Sequence, residues 1–134
     1  MAPIKDIEGV GDVSAAKLKA AGVATVEAIL EKGATPKGRE ELAAASGIDK
    51  GKILEWVNRA DLYRIKGVGS EYSDLLEEAG VDTVVELGKR KAENLHKAIL
   101  DINAKKKLVR RPPALKMVAS WIEQAKSLPR VVKY

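Results

Sequence analysis

Residues 7–30, IEGVGDVSAAKLKAAGVATVEAIL, and residues 65–88, IKGVGSEYSDLLEEAGVDTVVELG, are two copies of one pattern. Ten of the twenty-four positions are identical at a constant offset of 58, among them Gly9/Gly67, Val10/Val68, Gly11/Gly69, Leu18/Leu76, Gly22/Gly80 and Thr25/Thr83. One supersecondary unit is therefore used twice, and any fold for the first copy has to serve the second. Farther on, Trp56 with Ala60 is echoed by Trp121 with Ala125 at an offset of 65, so the second copy carries about seven extra residues. Residues 105–113 are where that extra length is expected. The copies divide the chain into repeats at 1–64 and 65–134.

Periodicity within each copy is helical. Ile53, Trp56, Val57, Ala60 and Tyr63 follow the i, i+3, i+4, i+7 rule, as do Tyr72, Leu75, Leu76 and Ala79, then Leu95, Ala98, Ile99 and Ile102, and finally Leu115, Val118, Ile122 and Ala125. The punctuation agrees. Gly22 and Gly80 suit the left-handed position past a helix end, with Thr25 and Thr83 as the next N-caps. Thr83 and Glu86 have capping-box spacing. Thr35-Pro36 sets a cap before a proline at the first helical position, and Pro112-Pro113 is placed to open the last helix. The pattern predicts about eight short helices, four per repeat, no strand, and one compact all-α unit packed through Val10, Val68, Trp56 and Trp121.

Composition narrows the chemistry. With 134 residues the chain is one ordinary domain or two small ones. It has no cysteine, which excludes disulfides, Cys-based zinc sites, iron–sulfur clusters and cysteine nucleophiles. No apolar run reaches the roughly 18 residues of a membrane span, and the first residues lack the apolar stretch of a signal peptide, so a cytoplasmic protein without membrane contact is expected. His96 is the single histidine and lies beside an apolar stripe, where a helix-surface role is expected. No nucleophile–base set, phosphate loop or metal-ligand spacing occurs, so no enzyme, no metal and no cofactor is expected.

The segment Ile7-Glu8-Gly9-Val10-Gly11, followed by Ala15 and Leu18, resembles the hairpin of the helix-hairpin-helix family. Residues 33–39 (GATPKGR), 55–62 (EWVNRADL) and 110–113 (RRPP) are similar to a bacterial family of tandem repeats of that kind which has no assigned function. The likeness covers most of the chain. It implies that hairpin amides at the start of the following helix cradle a nucleic-acid backbone phosphate without reading sequence. Those amides would belong to Gly9, Gly11 and Asp12, and to Gly67, Gly69 and Ser70. Read from the residues alone, the glycines serve a tight interhelical turn equally well, and the carboxylates of Asp12 and Glu71 would repel a phosphate beside them.

Charge directs attention to the C-terminal third. Residues 65–88 hold one basic and six acidic side chains, whereas residues 89–134 hold thirteen and three. Lys89, Arg90 and Lys91, and Lys105, Lys106, Lys107, Arg110 and Arg111, bracket an expected helix at 92–104. Spaced by that helix, the clusters are placed to neutralise separate phosphates of one backbone, which makes DNA the favoured partner; a solvated, mobile loop is the plainer alternative. An acidic protein partner fits the same cations. The adjoining acidic and basic stretches also suit a scaffold that self-associates head to tail. A second, weaker anion site is expected at Lys37 and Arg39, which fall in a helix's first turn, where the macrodipole disfavours cations by roughly a few tenths of a kcal/mol. A bound anion would relieve that conflict; otherwise both side chains reach into solvent.

Overall fold

A computed structural model describes residues 2–134. The described residues form a 3-10 turn at Ile4–Asp6 and eight α-helices, with no strand: α1 (Asp12–Ala20), α2 (Val26–Lys32), α3 (Pro36–Ser46), α4 (Lys50–Leu62), α5 (Ser70–Glu78), α6 (Val84–Gly88), α7 (Ala92–Lys106) and α8 (Leu115–Ser127). The fold is all-α, and α1–α4 correspond in order to α5–α8. Caps explain the helix starts. Thr25 Oγ1 accepts the Ala28 N–H at 3.0 Å, Thr35 Oγ1 that of Gly38 at 3.1 Å and Thr83 Oγ1 that of Glu86 at 3.3 Å. The capping-box partner is used differently, because Glu86 Oε1 takes Arg90. Pro112 and Pro113 precede the last helix without opening it, since α8 begins at Leu115 after an Ala114 cap.

The repeat continues past its identical stretch. Lys32 Nζ donates to the Gly22 carbonyl at 3.5 Å and, 58 residues on, Arg90 Nη2 donates to the Gly80 carbonyl at 3.0 Å. Each long cation reaches back to the carbonyl just beyond the end of α1 or α5, where the macrodipole favours positive charge.

Two compact units can be described, residues 1–61 with 131–134 and residues 62–130. Val10 and Trp56 are buried in the first, Val68 and Trp121 in the second. Each unit has its own apolar stripes, so each closes its own core. In the second unit α8 packs on α6 and α7, and α5 packs on α7. Leu75, Leu76, Leu87, Leu95, Ile99, Val118, Trp121 and Ile122 form its centre. Side chains of this size, removed from water, contribute about 1.5–3 kcal/mol each.

The first unit is discontinuous in sequence. Its last four residues are held by Arg39, which is 4% exposed. Arg39 Nη1 donates to the Gly33 carbonyl at 2.8 Å and Nη2 to the Lys133 carbonyl at 2.7 Å. This corrects the expectation for the Lys37–Arg39 turn. Lys37 is exposed, but Arg39 folds inward and answers its charge with backbone carbonyls rather than reaching into solvent.

The two Gly-Val-Gly turns share one geometry. Gly9 and Gly67 have φ of +93° and +94°, which an L side chain rarely adopts. A Cβ there would lie 3.5 Å from Trp56 Nε1 or 3.1 Å from Trp121 Nε1, so each turn is seated on the tryptophan of its own repeat. The second glycine differs. Gly11 and Gly69 have negative φ, cap α1 and α5, and a Cβ on either would meet nothing within 4 Å. The fold therefore requires glycine only at the first position of each turn. Gly67→Ala is expected to destabilise the chain by about 1–3 kcal/mol in urea unfolding. Gly11→Ser, which supplies a capping hydroxyl in open space, should change stability by no more than about 1 kcal/mol, in the stabilising direction.

Candidate nucleic-acid interface

The second repeat's extra length lies at the end of α7. Ser46, the last residue of α3, corresponds to Ala104 at the repeat offset, yet α7 continues to Lys106, and the connection to α8 spans residues 107–114 where the first repeat uses only 47–49. All five cations at 105–111 fall in this added piece. Lys105 and Lys106 sit in the last turn of α7, and Lys107 takes the left-handed cap position with φ 51°. Cations there oppose the negative end of the helix, worth about 0.3–1 kcal/mol.

The added segment is tied down and not merely solvated. Asn103 is 8% exposed; its Nδ2 donates to the Val109 carbonyl at 3.1 Å while its Oδ1 accepts the Val109 N–H at 3.0 Å. One side-chain amide thus supplies both backbone bonds that a paired strand would have given Val109. Val109 is buried beneath it. Tyr72 tilts against Trp121 at 5.2 Å between ring centroids and donates its hydroxyl to the Arg111 carbonyl at 3.1 Å. His96 Nε2 lies 3.0 Å from the Pro113 carbonyl, which only accepts, so the ring donates there. Between these anchors Lys105, Lys107, Arg110 and Arg111 are exposed. Lys106 is also exposed but reaches Glu78 Oε2 at 2.6 Å.

The structure brings part of the predicted set together. Glu71, in the first turn after the Gly67–Gly69 hairpin, borders a groove of about 570 Å³ with Asn103, Lys107, Leu108, Val109, Arg110 and Pro112. The second hairpin's helix and the basic segment thus share one groove, with a carboxylate on its rim. Lys89 and Lys91 lie before the start of α7, which at 15 residues is about 22 Å long. Both are exposed. Arg90 is turned back onto Glu86 at 3.0 Å and the Gly80 carbonyl, so it serves the fold. Gly9, Gly11 and Lys37 belong to the other unit.

Sequence reasoning missed Asn103 and the Lys32/Arg90 pair. The first was legible as a polar residue four places after Ile99 and eight after Leu95 on an apolar stripe. The second was legible from the offset of 58 alone.

At the first hairpin the repulsive carboxylate is answered locally. The Lys5 ammonium hydrogen-bonds Asp12 and adds its charge, holding the Asp12 carboxyl below the usual aspartate range. Among the described residues no group of three or more His, Cys, Asp or Glu is placed to hold a metal, and no helix is long and apolar enough to cross a membrane.

Two outcomes check this geometry. Asn103→Ala leaves the Val109 N–H and carbonyl without partners, so it is expected to cost about 1–3 kcal/mol in urea unfolding and to speed hydrogen exchange at Val109. A carboxyl whose folded pKa is depressed contributes stability above its unfolded pKa and loses it as the pH falls through the folded value. In an NMR titration Asp12 is therefore expected to protonate below the ordinary aspartate range, and to return to it in Lys5→Met.

No curated protein and no solved structure matches this chain. A family model does match, over residues 8–128, and by that match the chain belongs to the family described as a domain of unknown function, DUF4332.

Proposed function

We propose that the chain is a non-enzymatic, sequence-independent nucleic-acid-binding module, with DNA the favoured partner. Lys105, Lys107, Arg110 and Arg111 neutralise backbone phosphates on one side of α7, and Lys89 and Lys91 do so at its other end. The observation that carries this reading is the added segment. Where the first repeat closes the corresponding pair of helices with three residues, the second uses eight. It spends the surplus on cations, pins the backbone at Asn103 and Tyr72, and leaves four of the five charges without use in the core. Held at fixed spacing, such charges lose less conformational entropy on binding than those of a free tail.

The helix-hairpin-helix likeness adds a second contact. The amides of Gly69 and Ser70 open α5, and the empty space around the Gly69 Cα leaves room for a phosphate oxygen. Catalysis gains no comparable support, because the one histidine is committed to the Pro113 carbonyl. The scaffold alternative has less to work with, since the basic segment and the acidic α5 already meet at Lys106–Glu78 within one unit.

Fluorescence anisotropy with labelled duplex, branched and single-stranded DNA tests the proposal. With four to six phosphates engaged, duplex affinity is expected to fall about 10²- to 10³-fold between about 50 and 200 mM salt. Reversing Lys105, Lys107, Arg110 and Arg111 to glutamate should abolish binding with helix content unchanged. Lys106→Gln, whose cation is already paired, should lose less than Lys107→Gln. Unchanged affinity in the fourfold variant, or no binding at the lower salt, overturns the proposal.

A further inference from the structure

The last four residues of the first unit occupy a site that reads peptide backbone. The Lys133 N–H donates to the Ala34 carbonyl at 2.7 Å, and the Lys133 carbonyl accepts Arg39 Nη2 at 2.7 Å. Val132 is 2% exposed, so its side chain is buried. Tyr134 donates its hydroxyl to Asn58 Oδ1 at 3.0 Å and helps line a cavity of about 300 Å³ with Pro36, Arg39, Lys50, Gly51 and Leu54. The hydrogen-bonding groups just named lie at residues 34, 39 and 58, and they meet residues 133 and 134. What is received is a short peptide held through its backbone, a buried β-branched side chain and an aromatic hydroxyl.

The chain enters this site from α8 through a short non-helical stretch. The last helix of the second unit, α8, ends at Ser127, and Leu128 has φ −91° and ψ 140°. Pro129 enforces that extended backbone on the residue before it. Residues 128–130 therefore form a short non-helical tether between α8 and the docked peptide. Nothing in the bonds just described distinguishes this copy's residues 131–134 from those of another copy.

We propose that residues 131–134 act as an exchangeable strap, and that the site formed by Ala34, Arg39 and Asn58 takes the strap of a second copy, giving a reciprocal two-fold dimer. Reciprocal exchange re-forms every strap bond in both partners, so its main cost is association entropy. A short tether sets the effective concentration of a chain's own strap near the millimolar range, so exchange becomes populated as protein concentration approaches that value. This inference concerns the first unit and does not depend on the nucleic-acid reading.

The absence of cysteine makes the test direct. One full-length chain carries Ala34→Cys and a second carries Lys133→Cys; the two are unfolded, mixed, refolded at about 10 μM and at about 1 mM, and oxidised. A 34-to-133 disulfide between chains requires a strap in trans. The expected result is a covalent heterodimer that is at least fivefold more abundant at the higher concentration. It should also fall at least fivefold when the Lys133→Cys chain carries Val132→Asp, which leaves the receiving chain unaltered. Wild-type protein refolded at about 1 mM should show dimer mass in light scattering. The proposal is overturned if the wild type stays monomeric there. Cross-linking no stronger than between Asp101→Cys and Lys133→Cys chains, or insensitive to Val132→Asp, overturns it equally.

Discussion

In each unit an indole nitrogen lies beside a backbone position whose φ, +93° or +94°, L side chains rarely adopt. Trp56 meets Gly9 in this way and Trp121 meets Gly67. Much of the remaining architecture follows from these two contacts. A glycine with φ near +93° turns the chain sharply enough to start α1 or α5, the valine after it enters the core, and the tryptophan below fixes how far α4 or α8 stands from the turn. The contact is non-local, with roughly fifty residues between its partners, so it closes each unit from end to end. That positive φ favours glycine at both positions, with the indole contact tighter at Gly67, and Gly9 and Gly67 are the same residue in copies that differ at fourteen of twenty-four positions.

Much of this was legible in the sequence. The offset of 58, the apolar stripes and the Thr caps announced eight helices in two repeats, because these signals are local and their physics is short-range. Two kinds of feature were not legible. Arg39 reads as a surface cation in a helix's first turn; only the return of residues 131–134, nearly a hundred positions later, supplies the carbonyl that makes its burial tolerable. The return of residues 131–134 to the first unit was equally hidden, since the offset of 58 divides the chain only once, at 64/65. Arg90 presents a milder case. It sits in a basic triplet, but the offset that pairs it with Lys32 also reveals its duty at the end of α5.

The two repeats also show what a duplicated fold can spare. Unit by unit, the turn, its tryptophan, the threonine cap and the cation reaching back to a helix end are kept. What differs is two more residues at the end of a helix and five more in a connection, with one asparagine recruited to hold them and Val109 joining the core. Such a change leaves the core contacts intact, so the surface of one copy can acquire charge while the other does not.

The return of Val131–Tyr134 to the first unit also has a bearing on synthesis. Residues 1–61 leave the ribosome before residues 62–134, so Arg39 receives the Lys133 carbonyl and Val132 is buried only after residues 131–134 have been made. At elongation rates of about 5–20 residues per second, that interval is about 3–14 s. During it the second unit, which is contiguous, has everything it needs to fold. Residues 1–61 are therefore made before residues 62–130 but complete their unit after them, and Arg39 waits through that interval for its Lys133 partner.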